Sequence, residues 1–152
     1  MRSTRRLTVI AMFISAALVL YVVEGMLPLP LMPGVKLGLA NIVTLLAIMF
    51  FDFKEVIMIV FIRCLLGSVF GGSISSFLFS ISGGFLSALT MWILYSIFGK
   101  YFSLIGISVS GAIAHNIGQI LVASLIISDF RLYIYLPVLM VSSVITGIFI
   151  GV

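Results

Sequence analysis

The sequence predicts an all-α membrane protein: six transmembrane helices in one domain spanning residues 1–152, with both termini cytoplasmic. Three observations carry that prediction. Hydrophobic residues make up 63% of the chain and charged residues 8%, against about 25% charged in an ordinary soluble domain. The mean hydropathy of +1.43 leaves too few polar side chains to cover a water-facing surface. Charges, prolines and glycines divide the remainder into six apolar runs, most of them near the roughly 20 residues a helix needs to cross about 30 Å of hydrocarbon. These runs are continuous, whereas the strands of an outer-membrane barrel alternate polar and apolar residues over segments of about 10.

The first run extends from about Leu7 to Val23 and ends at Glu24. Arg2, Arg5 and Arg6 precede it in the manner of a signal peptide, but its length, the lack of a small-residue cleavage pattern and the spans that follow favour a retained helix. Pro28, Pro30 and Pro33 forbid a continuing helix and predict an ordered extended loop. The second run covers about Val35 to Phe51, and Asp52, Phe53 and Lys54 are expected to turn tightly. The third covers about Glu55 to Phe70 and is broken by Gly71, Gly72 and Ser73. The fourth covers about Ser76 to Phe98 and stops at Gly99 and Lys100. The fifth covers about Leu104 to Ile127, before Asp129 and Arg131. The sixth covers about Tyr133 to Val152, with Pro137 in the first turn, where proline is tolerated.

Orientation follows from the distribution of basic residues. With the N-terminus inside, Arg2, Arg5, Arg6, Lys54 and Lys100 are cytoplasmic, and only Lys36 and Arg131 lie outside. Tyr95, Tyr101, Tyr133 and Tyr135 fall near span ends, where aromatic belts form. The pI near 9.6 therefore reflects anchoring charges. No basic patch or aromatic motif points to nucleic acid. The lone Cys64 reads as a small core residue, and with one histidine and no carboxylate beside either, no metal site is expected.

Depth along each span follows from the 1.5 Å rise per residue. Arg63 lies eight residues beyond Glu55, roughly 12 Å into the membrane. His115 has a similar depth on the fifth run, with Asn116 and Gln119 at or beyond it. Asn41, Ser82, Gly83 and Gly84 fall in the outer half, and Glu24 and Lys36 at the outer mouth. The inner half of the same helices is almost purely apolar. A central arginine costs roughly 3 kcal/mol on insertion scales, so it is expected to face a cavity or a partner. The simplest reading is a hydrated pocket open to the outside. Lys36, Arg63 and His115 face the single carboxylate of Glu24, which favours an anionic or strongly hydrogen-bonding ligand.

Each residue also has a structural reading. Arg63 fits a clamp on helix-end carbonyls or a partner of Glu24 as well as a pocket wall, and the roles can coexist. His115 and Gln119, four residues apart, share a helix face and suit interhelical hydrogen bonding; the neighbouring Asn116 and Arg63 add the ligand reading. Gly67, Gly71, Gly72, Gly83, Gly84, Gly111 and Gly118 point first to close helix packing, although Ser82, Gly83 and Gly84 would also suit backbone opened to a ligand. Lys36 can simply snorkel at the interface.

The run Pro33-Gly34-Val35-Lys36-Leu37-Gly38-Leu39-Ala40-Asn41 resembles the signature of the Gx transporter family, also labelled heptaprenyl diphosphate synthase component I. Arg63-Cys64-Leu65-Leu66-Gly67, Ser82-Gly83-Gly84, His115-Asn116-Ile117-Gly118-Gln119 and Leu136-Pro137 extend the likeness over essentially the whole chain. That family is similar to the substrate-binding S components of energy-coupling factor (ECF) transporters. The resemblance implies a multi-pass protein of the bacterial cytoplasmic membrane that captures a scarce small solute. It further implies docking on a membrane scaffold subunit driven by two ATPases, with Ala11 and Ser15 of the first helix in the docking face.

The leading expectation is a non-enzymatic, cofactor-free binding subunit. Asn41, Arg63, His115, Asn116 and Gln119 would line its pocket, with Lys36 at the rim and Glu24 with the proline-rich loop as a lid. No Walker A sequence is present, so energy must come from a partner. Two alternatives stay open: a membrane accessory subunit of prenyl diphosphate or quinone synthesis, and a solitary secondary carrier. Catalysis of prenyl transfer itself would need clustered carboxylates to hold magnesium. Glu24, Asp52, Glu55 and Asp129 include no Asp-Asp-x-x-Asp run.

Overall fold

Apolar runs punctuated by single charges become six α-helices in the computed structural model, which describes residues 3–26, 38–71 and 74–152. They are α1 (Ser3–Met26), α2 (Asn41–Phe50), α3 (Phe53–Gly71), α4 (Ile74–Phe98), α5 (Leu104–Ile127) and α6 (Leu136–Gly151). A short 3-10 segment, Phe130–Tyr135, leads into α6. No strand occurs among the described residues. The proline loop and Lys36 lie outside them, as do Arg2, Gly72 and Ser73.

The expectation of six spans holds for the number of helices and only in part for their reach. Three helices are long and apolar enough to cross a membrane: α1 over Thr4–Met26, α4 and α5. The 19 residues of α3 carry Lys54, Glu55 and Arg63. The 16 residues of α6 are shorter, and the 10 residues of α2 rise only about 15 Å. The second run was expected to be helical from about Val35. The helix instead starts at Asn41, because Gly38 adopts φ +87, a left-handed conformation that no helix continues through. The Asn41 amide then donates back to the Gly38 carbonyl at 2.8 Å, closing a turn that leads into α2.

Local caps explain the other ends. Asp52 does not sit in a free turn. Its carbonyl accepts from the Glu55 and Val56 amides, and its own amide donates to Glu55 Oε2 at 3.2 Å. The Glu55 side chain thus supplies one half of a capping box, and α3 starts at Phe53. Ser103 caps α5 by accepting from the Gly106 amide at 3.1 Å. Ser128, in the left-handed region at φ 55, ends α5. Asp129 then accepts from the Arg131 amide at 2.9 Å and opens the 3-10 segment.

Packing is most extensive between α4 and α5 and between α5 and α6, with α3 against α4 and α1 against α3 completing the bundle. The α4–α5 crossing is close because a methyl group on Gly118 would lie 2.8 Å from the Ser82 carbonyl oxygen and 3.0 Å from Gly83 Cα. Ser82 Oγ donates across the same crossing to the Gly118 carbonyl at 3.1 Å. The main apolar core joins Ile10, Leu45, Ile48, Val56, Ile59, Val60, Met91 and Ile107. These residues come from the start of α1, the end of α2, the start of α3, the later part of α4 and the start of α5, and so gather toward one end of the bundle. At that end Arg6 bonds Asp52 at 3.1 Å and Glu55 at 2.6 Å, joining the first turns of α1 and α3. Their N-termini therefore share one face, as the expected topology requires.

Candidate functional site

The opposite end of the bundle holds the buried polar side chains. Glu24, Asn41, Arg63, Ser80, His115 and Gln119 are each at most 3% exposed. Helices α1 to α5 deliver them, and Tyr21, Glu24, Gly38, Arg63, Ser80, His115 and Gln119 line one cavity. Helix spacing accounts for part of this: Tyr21 and Glu24, and His115 and Gln119, are separated by three and four residues and share helix faces.

Glu24, near the end of α1, accepts the Gly38 amide at 2.6 Å and the Leu39 amide at 3.1 Å. A carboxylate bound to two successive amides just before a helix is favoured by the helix dipole as well as by the hydrogen bonds. This clamp sets Gly38 against His115. A methyl group there would lie 2.8 Å from Asn41 Nδ2 and 3.0 Å from His115 Cδ2, so only glycine fits both the space and the backbone angle.

Arg63 is 2% exposed. Its guanidinium fits beside Gly84, where a Cβ would lie 2.9 Å from Nη2. Neither Nε nor Nη2 has a hydrogen-bond partner among the described residues. His115 Nε2 lies 2.8 Å from Gln119 Nε2. With the amide nitrogen donating, the imidazole proton sits on Nδ1, which faces Gly83. Asn41 is 1% exposed, and neither of its amide atoms has a partner among the described residues. Donors that burial has stripped of water and left unpaired are costly, and a ligand that accepts from them recovers that cost.

Several expectations need adjustment. The cavity measures about 10 Å³, room for roughly one water. It is smaller than the open, hydrated pocket expected, and Gly38 packs against His115 beside it. Asn116 points away from the cluster: its Nδ2 donates to the Leu139 carbonyl at 3.1 Å and to Ser143 Oγ at 2.6 Å, stitching α5 to α6. Ser82 is likewise engaged between helices, and Gly83 and Gly84 lie within the continuous α4. Ala11 and Ser15 lie on an exposed face of α1, where Ser15 Oγ donates to the Ala11 carbonyl at 2.9 Å.

The sequence reading missed Tyr21 and Ser80. Tyr21 OH lies 3.1 Å from Ser76 Oγ, and Ser80 Oγ donates to it at 3.5 Å. The three-residue step from Tyr21 to Glu24 was the available signal. A wider groove of about 500 Å³ is lined by Arg6, Val9, Phe13, Phe50 and Phe51 at the other end. Its one charged side chain is already held by two carboxylates. The buried guanidinium of Arg63 lines the small cavity instead.

The cluster rests on Gly38–Leu39–Ala40–Asn41, Arg63, Gly83–Gly84 and His115–Gln119, and a model of the family described as heptaprenyl diphosphate synthase component I matches residues 13–152. The chain belongs to the heptaprenyl diphosphate synthase component I family. No curated protein and no solved structure matches it. For this member of heptaprenyl diphosphate synthase component I, the matched span takes in all six helices, though the first turns of α1, with Arg6, precede it.

Proposed function

We propose that the chain is a membrane-embedded binding subunit for the uptake of a small organic solute with an anionic or strongly polar head, and that it performs no chemistry itself. The observation that supports this most is Arg63, buried in the polar end of the bundle with Nε and Nη2 unpaired. A purely structural arginine would spend those donors on carbonyls. Gln119 orients His115, and Glu24 holds the Gly38–Leu39 turn over the cavity. In this reading the closed cavity is one state of the site, and the solute enters when that turn lifts. Energy comes from an ECF scaffold and its two ATPases, met through the exposed Ala11 and Ser15 face. The setting is the bacterial cytoplasmic membrane.

The family description supports a second reading, an accessory subunit that holds a prenyl diphosphate synthase at the membrane. Purification of the tagged chain in mild detergent from its own host separates the two. A stoichiometric complex with scaffold and ATPases upholds the first reading. A prenyl synthase in their place, with no scaffold, overturns it.

A further inference from the structure

The charges of this chain leave one vacancy with a definite shape. Its carboxylates are Glu24, Asp52, Glu55 and Asp129. Asp52 and Glu55 bind Arg6 at the far end of the bundle, and Asp129 accepts the Arg131 amide. Both oxygens of Glu24 accept backbone amides. The Nε and Nη2 of Arg63 receive no acceptor from any of them. These two nitrogens lie on the same edge of a guanidinium, so their N–H bonds run parallel and meet two coplanar oxygens side-on.

We propose that the cavity receives the carboxylate of a monoanionic solute, gripped side-on by Nε–H and Nη2–H of Arg63. This rests on the solute-binding reading above and narrows its substrate class. A paired-oxygen anion fits the fork better than a spherical one does. Charge selects further. Glu24 lines the same cavity as Arg63. A monoanion adds one negative charge beside Glu24 and a dianion adds two, and low-dielectric surroundings magnify the difference. Glu24 thus acts as a filter against phosphate dianions as well as a latch on the turn.

The test uses the full chain in nanodiscs with ¹⁵N-labelled arginine. The Arg63 Nε–H signal is assigned by its loss in Arg63→Lys and, should that variant not fold, by its slow exchange with water. Sodium formate, sodium chloride and inorganic phosphate are titrated at constant ionic strength. Formate is expected to move the signal downfield and saturably, with phosphate and chloride at least about ten-fold weaker. Glu24→Gln is expected to narrow the gap between formate and phosphate. Phosphate or chloride acting as well as formate, or no anion moving the signal, overturns the proposal. Capture of the ECF partners with a phosphate-preferring site would sink this inference alone. A formate-selective site with a prenyl synthase bound would sink the uptake reading alone.

Discussion

The two ends of the bundle are built by opposite means. At the end marked by Arg6, Ile10, Ile48, Val56, Ile59 and Met91 interlock, and the ionic groups there are exposed or paired. At the other end Glu24, Asn41, Arg63, His115 and Gln119 are as deeply buried, yet Arg63 Nε and Nη2 and both amide atoms of Asn41 have no hydrogen-bond partner among the described residues. In lipid, helices gain little from hiding apolar surface and associate through close packing and hydrogen bonds. The apolar end therefore supplies rigidity. The polar end leaves a charged and an amide side chain short of hydrogen bonds, whereas toward the apolar end the unpaired buried groups among the described residues are the hydroxyls of Ser87 and Ser108.

Substitutions can break this contrast or sharpen it. Gly118→Leu has the largest expected effect: the added atoms meet the Ser82 and Gly83 backbone, which cannot yield. Gel filtration in detergent should show loss of the monodisperse protein. Arg63→Met should weaken solute binding by about 2–5 kcal/mol, while thermal stability holds or rises as an unpaired buried cation is removed. Equal loss of folding and binding would make Arg63 a clamp and end the contrast. Ile59→Ala should do the reverse, costing about 2 kcal/mol of stability with affinity intact in the surviving fraction.

Glu24→Gln leaves one good acceptor for two amides and should cost about 1–2 kcal/mol locally. Faster deuterium exchange at Gly38 and Leu39 is the readout. Asn116→Ala should be the mildest, about 0.6 kcal/mol, with solute binding unchanged. A binding defect there would return Asn116 to the site.

The residues show what a sequence can reveal of such a protein. Depth is set by a constant rise per residue, so Arg63 and His115 could be assigned to one level, with Gln119 at or beyond it and Glu24 at the outer mouth, before any helix was placed. Azimuth is set by packing. His115 and Asn116 are consecutive, about 100° apart on the helix, and only α6, with Ser143 and the Leu139 carbonyl, decides that Asn116 turns away. The limits of α5 were legible because Ser103 caps it locally. The start of α2 was not, because it depends on Glu24, 14 residues earlier than Gly38. The fold class needed composition alone. The size of the cavity needed the turn contacts that no periodicity encodes.

Helix α1 is fastened at both ends, by Arg6 to the start of α3 and by Glu24 to the turn before α2. Glu24 lies 18 positions after Arg6, a rise of about 27 Å, close to the thickness of the hydrocarbon layer. A helix held only by side-chain packing can slide or tilt by itself when the bilayer thins or thickens. This one acts as a strut of set length. Hydrophobic mismatch is passed to its fasteners, so bilayer thickness bears directly on the latch above Arg63.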